Sequence, residues 1–246
     1  MRMEVVLTVS ESKRLIAKAI TAHPAVEDAL RNGTVAVAKG TTNAYVAEEL
    51  LGKSIDKHRY VSGWVQPATA KGTVKNDFPD VVLKNGKPLD GISAPEAARS
   101  MGPGDVFIKG ANALNYASKV AGVLIGHPTG GDIGATIGHL VARRVRLIIP
   151  VGLEKNIATD IHAVHNLLSD DEPSKEDVPT MWPVYGEIIT EIEALNLLTD
   201  VQSAQIGSGG VNGAEGSVRI LFWGDLQQIE ITSQLIKTIQ GEPRFM

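Results

Sequence analysis

Apolar residues along the first two thirds of the chain follow two different spacings, and these predict two kinds of secondary structure. Residues 15–20 have the spacing of one helical face, in a helix that we expect Ser10 to cap. The unbroken apolar run at 35–38 instead indicates a strand that is covered on both faces. Further runs of this kind are found at 105–108, 120–125 and 147–149. Because helical segments separate these runs, we predict an α/β fold with a Rossmann-like, mostly parallel sheet covered by helices.

The last third of the chain has a different order of elements. Residues 169–183 are acidic and interrupted by proline, which is typical of a linker. Two capping boxes after the linker predict helices, and the paired residues are Thr190 with Glu193 and Asp225 with Gln228. Together with three short strands, these helices predict a ferredoxin-like or lid-like β-α-β-β-α unit. We therefore divide the chain into an α/β ligand-binding domain (1–168), a linker (169–183) and a small α+β unit (184–246).

Composition excludes several classes of protein. Of the 246 residues, 43% are hydrophobic and 21% are charged, and the net charge of −4 does not favour a nucleic-acid partner. The chain contains no cysteine, which excludes disulfides, thiolate metal sites and thiol nucleophiles. No apolar run approaches the roughly 20 residues of a membrane span, and the N-terminus has no signal-peptide pattern. We expect a cytoplasmic protein with no membrane partner.

Two histidines are the best candidates for a metal site. His162 and His165 are three residues apart on a predicted helix that also contains Asp160, a spacing that fits metal ligands. No third ligand is evident, so a solvated helix face is the preferred interpretation. We expect neither a metal nor another cofactor.

Two glycine-bearing loops stand where a predicted strand passes into a helix. The first is Lys39-Gly40-Thr41-Thr42, and we expect one of its threonines to cap the helix. A helix start exposes backbone N–H groups, glycine lets a ligand approach them, and the lysine adds a positive charge. This loop therefore predicts binding of a phosphate, carboxylate or pyrophosphate, with a tight turn as the alternative. The glycine orders of a Walker loop and of a Rossmann fingerprint are both absent here.

The second loop is Thr129-Gly130-Gly131-Asp132, which follows His127. We expect Asp132 to cap the next helix and the whole loop to contact the same anion. His127 is a candidate general base, although a lone histidine is more often structural. A loop that only needs positive φ angles is the alternative interpretation.

Polar residues follow two other predicted strands. Lys109, Gly110 and Asn112 come directly after the run at 105–108, and Glu154 comes soon after the run at 147–149. Because ligands of parallel sheets bind beyond the carboxyl ends of the strands, we expect the first three to contact the ligand. Glu154 could be a base or a nucleophile, and a surface ion pair with the adjacent lysine is equally consistent.

The segment at 207–216 is rich in glycine, which predicts a mobile lid over the ligand. Ser208 is then expected to contact the ligand, and Glu215 is a third candidate proton carrier beside Glu154 and His127. A flexible loop without a function is the alternative.

Three stretches of the chain are similar to segments of a known superfamily: the strand and Lys-Gly-Thr-Thr turn at 32–42, the segment at 105–114 and the strand at 148–155. They resemble the superfamily that groups ribose-5-phosphate isomerase, glucosamine-6-phosphate deaminase and the CoA transferases, and the last stretch is similar to its lactate-utilisation branch. The resemblance covers about residues 14–165. It implies a Rossmann-like fold with a ligand crevice at the strand ends.

Two motifs of that superfamily are absent. Ribose-5-phosphate isomerases have two acidic residues just after a Gly-Ala pair, where this chain has Asn112 and Ala113. In CoA transferases the nucleophilic glutamate stands in a Glu-x-Gly context, which Glu154 lacks. These differences argue against ordinary pentose isomerisation and leave the reaction class open.

The leading hypothesis is an enzyme, isomerase- or deaminase-like or transferase-like, that acts on a small anionic metabolite such as a phosphorylated sugar or an acyl-CoA. The alternative is a non-catalytic metabolite-binding or regulatory protein on the same fold. We expect a homo-oligomer, for which the C-terminal unit could provide the contacts.

Overall fold

The computed structural model describes residues 1–70, 74–170 and 178–245. Its strands are β1 (Arg2–Leu7), β2 (Thr34–Val37), β3 (Val81–Lys84), β4 (Lys87–Pro88), β5 (Val106–Ile108), β6 (Ala113–Asn115), β7 (Val120–Ile125), β8 (Arg146–Pro150), β9 (Thr180–Val184), β10 (Glu187–Ile189), β11 (Gln202–Ser208) and β12 (Val218–Trp223). Its helices are α1 (Val9–Thr21), α2 (Pro24–Asn32), α3 (Thr41–Leu51), α4 (Ala94–Ala98), α5 (Gly131–Ala142), α6 (Ile161–Leu168), α7 (Glu191–Thr199) and α8 (Leu226–Ile239).

A six-stranded sheet in the order β10-β8-β5-β2-β3-β4 forms the centre of the molecule. Its strands β10, β8, β5 and β2 run parallel, while β3 and β4 form an antiparallel hairpin at one edge. The parallel strands are buried, as in Ala36, Phe107 and Ile148, because helices cover the sheet. The predicted mixed α/β fold is confirmed, and the sheet is parallel over four of its strands. The sequence Lys84-Asn85-Gly86-Lys87 predicts the turn of this hairpin, since Asn-Gly favours a tight type I′ turn. The turn is confirmed, because Asn85 and Gly86 have φ angles of 49° and 74°.

The strand at 120–125 is present but does not belong to this sheet. It is β7, the middle strand of an antiparallel sheet in the order β6-β7-β9. A buried apolar run fits either kind of sheet, so its pattern could not identify its neighbours. Gly122 allows β9 to approach closely, because a Cβ at this position would lie 2.4 Å from Met181 Sδ.

The strands of the C-terminal segment pair with strands from earlier in the chain. Strand β10 lies beside β8 in the central sheet, and β12 lies between β1 and β11 in a third, antiparallel sheet. The order of strands and helices predicted for 184–246 is confirmed, as are both capping boxes. Within the predicted linker, residues 171–177 lie outside the described residues, and β9 begins at Thr180.

Three helices begin differently from the predictions. Thr8, rather than Ser10, caps α1, because its side chain forms a capping box with Glu11. Glycines occupy the cap positions of α3 (Gly40) and α5 (Gly130), and neither cap has a side-chain hydrogen bond. The predicted caps at Thr41 or Thr42 and at Asp132 are therefore wrong. Within the described residues, no helix is long and apolar enough to cross a bilayer.

Candidate functional site

The carboxyl ends of three parallel strands open into one cavity of about 1340 Å³, which we call the main cavity. Loops after β2, β5 and β8 contribute residues 39–43, 109–112 and 154–155 to its lining. Helix α1 adds Lys13, and the segment around Trp64 also lines the cavity. The structure thus brings together eight of the residues singled out in the sequence: Lys39, Gly40, Thr41, Thr42, Lys109, Gly110, Asn112 and Glu154.

The start of α3 presents free hydrogen-bond donors to the main cavity. The Gly40 N–H donates to Tyr60 O over 3.1 Å, and the first bond of the helix runs from Ala44 N to Gly40 O over 2.8 Å. Between them, the backbone N–H groups at 41–43 have no acceptor within the described residues. The Thr42 hydroxyl is buried and also has no partner there. These donors, at the positive end of the helix dipole, suit an anion.

Five lysines line the main cavity, although the whole chain is acidic: Lys13, Lys39, Lys75, Lys109 and Lys155. The Nζ of Lys39 lies 3.4 Å from Asp80, and the Nζ of Lys155 donates to Ala111 O over 2.7 Å. Burial lowers the pKa of Lys155 and of Lys109, and the charge of Asp132 partly opposes this effect at Lys109. A bound anion would stabilise the charged form of such desolvated lysines. Of the remaining two, Lys13 is 6% exposed, whereas Lys75 is exposed.

Two glutamates at the ends of adjacent parallel strands complete this part of the site. Glu154 follows β8 and lines the main cavity, while Glu191 follows β10 and is fully buried. Burial, together with the charge of Glu154, raises the pKa of Glu191 to about 7. One oxygen of Glu191 accepts the Leu153 N–H over 2.9 Å. The other oxygen, and Oε2 of Glu154, are buried without a hydrogen-bond partner within the described residues.

The second glycine loop does not line the main cavity. The side chains of His127 and Thr129 are exposed and bond each other, with 3.0 Å between Nδ1 and Oγ1. Gly130 and Gly131 have φ angles of 83° and 56°, which explains both glycines by backbone conformation. Asp132 is closer to the site, since its charge raises the pKa of Lys109.

The glycine-rich segment borders a smaller cavity of about 440 Å³. Ser208 lines this cavity, and so does Glu154, which therefore lies between the two cavities. Glu215 is exposed and lines neither; its Oε2 accepts the Gly213 N–H over 2.9 Å. Of the three candidate proton carriers, only Glu154 lines the main cavity.

Sequence reasoning missed Lys13 and Glu191. Both carry a signal that could have revealed them, because each lies on the apolar face of its helix. Lys13 is three residues before Ile16, and Glu191 is four residues before Leu195, which is the spacing of residues that share a helical face. A charged residue at such a position is desolvated on folding and needs either a partner or a function.

The histidine pair has partners of its own. His162 Nε2 lies 2.6 Å from the Tyr185 hydroxyl, and His165 Nδ1 lies 2.6 Å from Met181 O. Across residues 1–70, 74–170 and 178–245, no three His, Asp or Glu side chains are grouped as metal ligands. Comparison of the chain with protein-family models, curated proteins and solved structures finds no match in any of the three.

Proposed function

We propose that this protein is an enzyme that acts on a small anionic metabolite bound in the main cavity. The observation that carries the proposal is the convergence of five lysines, the free start of α3 and Glu154 in one cavity beside the carboxyl ends of adjacent parallel strands. Ligands of parallel α/β sheets bind at this edge. The net charge of −4 makes a lysine-rich cavity a local feature of the fold, not a consequence of composition.

The anionic group of the metabolite, a phosphate or a carboxylate, binds at the start of α3. The backbone N–H groups at 41–43 donate to it, and Lys39 supplies the nearest positive charge. Lys109 lies at the end of the adjacent strand and holds the reacting end of the metabolite. The cavity is larger than a sugar phosphate requires, which leaves room for an acyl-CoA-type substrate.

Glu154 is the proton carrier in this proposal. Isomerisation or deamination of a phosphorylated sugar moves a proton at a carbon next to a carbonyl, which is general acid–base chemistry. Burial and the charge of Glu154 raise the pKa of the neighbouring Glu191 to about 7, so that Glu191 holds a proton close to the site over part of the neutral range. The resemblance at 14–165 points to the same reaction classes. In the transferase alternative, Glu154 is instead the nucleophile.

Binding and turnover are tested separately. Calorimetric titration with ribose 5-phosphate, glucosamine 6-phosphate, acetyl-CoA and inorganic phosphate measures affinity, and Lys39→Ala is expected to weaken the best ligand about tenfold or more. Lys18→Ala is the control, because Lys18 lies on α1 and pairs with Glu49. Proton NMR in D₂O then measures the exchange of deuterium for the proton on the carbon next to the carbonyl group of the ligand. We expect Glu154→Gln to abolish this exchange. If none of the four compounds binds, the proposal fails.

A non-catalytic metabolite-binding protein is the second candidate. It is favoured by Asn112, which stands where ribose-5-phosphate isomerases have an acidic residue. The side-chain oxygen of Asn112 accepts the Leu124 N–H over 3.1 Å. An amide side chain that bonds the backbone in this way stabilises the loop, and it cannot act as a general base. Tight binding without deuterium exchange or product, unchanged in Glu154→Gln, would support this second function.

The cytoplasmic location and the homo-oligomer remain predictions from the sequence. Sedimentation of the full chain measures the oligomeric state directly.

A further inference from the structure

Lys13 occupies an unusual position for a lysine. It lies in the first half of α1, is only 6% exposed and lines the main cavity. Its Nζ has no hydrogen-bond or ion-pair partner within the described residues, and instead lies 5.1 Å from the centre of the Phe245 ring. An ammonium group in such a place has lost much of its hydration without gaining an acceptor.

The two charged side chains that affect the pKa of Lys13 are Glu154 and Lys155, which are adjacent in the sequence. Burial lowers its pKa to about 8, the positive charge of Lys155 lowers it as well, and the negative charge of Glu154 opposes both. About a tenth of Lys13 is therefore a neutral amine at pH 7, whereas an exposed lysine is almost entirely charged. A neutral amine beside a second cation is the activated form in which lysine attacks carbonyl carbon.

The other lysines of the main cavity differ from Lys13. Lys155 donates to a backbone carbonyl, Lys39 lies against Asp80, and Lys75 is exposed. The Nζ of Lys109 also has no hydrogen-bond or ion-pair partner within the described residues, but the carboxylate whose charge acts on it, Asp132, does not line the main cavity. Lys13 thus combines a buried Nζ that has no partner in the part of the chain that the structure describes with a nearby carboxylate, Glu154, that lines the same cavity.

We propose that Lys13 is a nucleophilic amine that forms an imine with an aldehyde or ketone group of the anionic metabolite. The inference rests on the proposed function, because it places this carbonyl in the main cavity. The Nζ lone pair attacks the carbonyl carbon, the C–N bond forms and the carbonyl electron pair moves to oxygen. After a proton passes from nitrogen to oxygen, a second proton from the Glu154–Glu191 pair lets the hydroxyl leave as water. The C=N bond then forms, and its hydrolysis reverses each step.

Trapping with a reductant tests this inference on the full chain. The protein is incubated at pH 7 with ribose 5-phosphate or dihydroxyacetone phosphate and sodium cyanoborohydride, which reduces an imine to a stable secondary amine. Peptide mass spectrometry then locates the adducts. We expect Lys13 to be modified at least tenfold faster than Lys18 of the same helix, and excess inorganic phosphate to slow only the Lys13 reaction.

Variants separate this inference from the proposed function. Lys13→Met and Lys13→Arg are expected to lose the rapid adduct, and the Lys18→Met control is expected to keep it. Adducts spread evenly over the lysines, or concentrated at Lys109, would overturn the role of Lys13. Binding of either sugar phosphate without an adduct at Lys13 would refute the imine and leave the proposed function standing, whereas absence of binding would refute both. The peptide map of the wild-type protein shows whether Lys13 forms the adduct even if a variant does not fold.

Discussion

Glu191 and Glu154 follow neighbouring parallel strands, and burial of Glu191 together with the charge of Glu154 raises the pKa of Glu191 to about 7. A carboxyl group that is buried in this way favours its neutral form in the folded protein. The pair is therefore both a source of a proton for the site and a cost to the fold at alkaline pH.

The first prediction concerns the pH dependence of stability. Because the pKa of Glu191 is raised from 4.5, its stabilising contribution is fully present below pH 4.5 and is lost as the pH rises to about 7. The loss amounts to about 3 kcal/mol. In Glu191→Gln, the free energy of unfolding should vary less between pH 5 and pH 7, and the variant should be the more stable protein at pH 8. Urea unfolding at each pH measures this, and parallel curves for the two proteins would contradict it.

The second prediction concerns the network that holds α1 in place. The guanidinium group of Arg14 bonds Glu48 and Glu49 of α3 and Glu242 of the C-terminal segment, and its side chain is only 12% exposed. Arg14→Met removes a shared cation from three partly buried carboxylates. Glu48 keeps Lys57 and Glu49 keeps Lys18, whereas Glu242 keeps no ion-pair partner within the described residues. We therefore expect the free energy of unfolding to fall by about 2–4 kcal/mol.

The matched control is Arg31→Met, because Arg31 is exposed and lies 3.9 Å from Glu27 one helical turn away. We expect that change to alter the free energy of unfolding by less than about 0.5 kcal/mol. Equal effects of the two substitutions in urea unfolding would mean that the Arg14 network does not stabilise α1.

The third prediction concerns the position of Glu154. The Glu154 side chain folds back over Gly152, where an added Cβ would lie 1.8 Å from Oε2. The φ angle of Gly152 is −74°, so alanine fits the backbone and only the carboxylate must move. Gly152→Ala should therefore reduce deuterium exchange into a bound sugar phosphate at least tenfold while the protein stays folded.

Gly138→Ala provides the comparison, since a Cβ at this position on α5 meets nothing within 4 Å. Alanine is the better helix former, and the variant should be as active as the wild type and more stable by about 0.5–1 kcal/mol. Full activity in Gly152→Ala would show that Glu154 does not act from its present position.

Local signals in the sequence were the ones that predicted structure correctly. The Thr190 and Asp225 capping boxes and the Asn85-Gly86 turn are formed by residues within three positions of each other, so their patterns suffice. The partners of β7 and β10 depend instead on strands far along the chain. A run of apolar residues indicates that a strand is buried, but it does not indicate which strand lies beside it.

The candidate site was likewise predicted where a local pattern sufficed and missed where the neighbouring strands decided the position. Lys39, Lys109 and Glu154 were found because they follow buried strands, and the carboxyl ends of parallel strands β2, β5 and β8 meet at one edge. His127 and Gly130 follow a strand of the antiparallel sheet, so the same rule placed them at the wrong edge. Lys13 lies on a helix and not after a strand, so the rule for strand ends could not identify it, and a lysine is seldom buried.

The central claim is that the start of α3 and the lysines of the main cavity bind an anion. The most direct test is a crystal structure of the full chain grown with ribose 5-phosphate. We predict electron density for the phosphate within hydrogen-bond distance of Lys39 Nζ and of the backbone N–H groups at 41–43. An empty main cavity at saturating ligand, or a phosphate bound elsewhere on the molecule, would contradict the account.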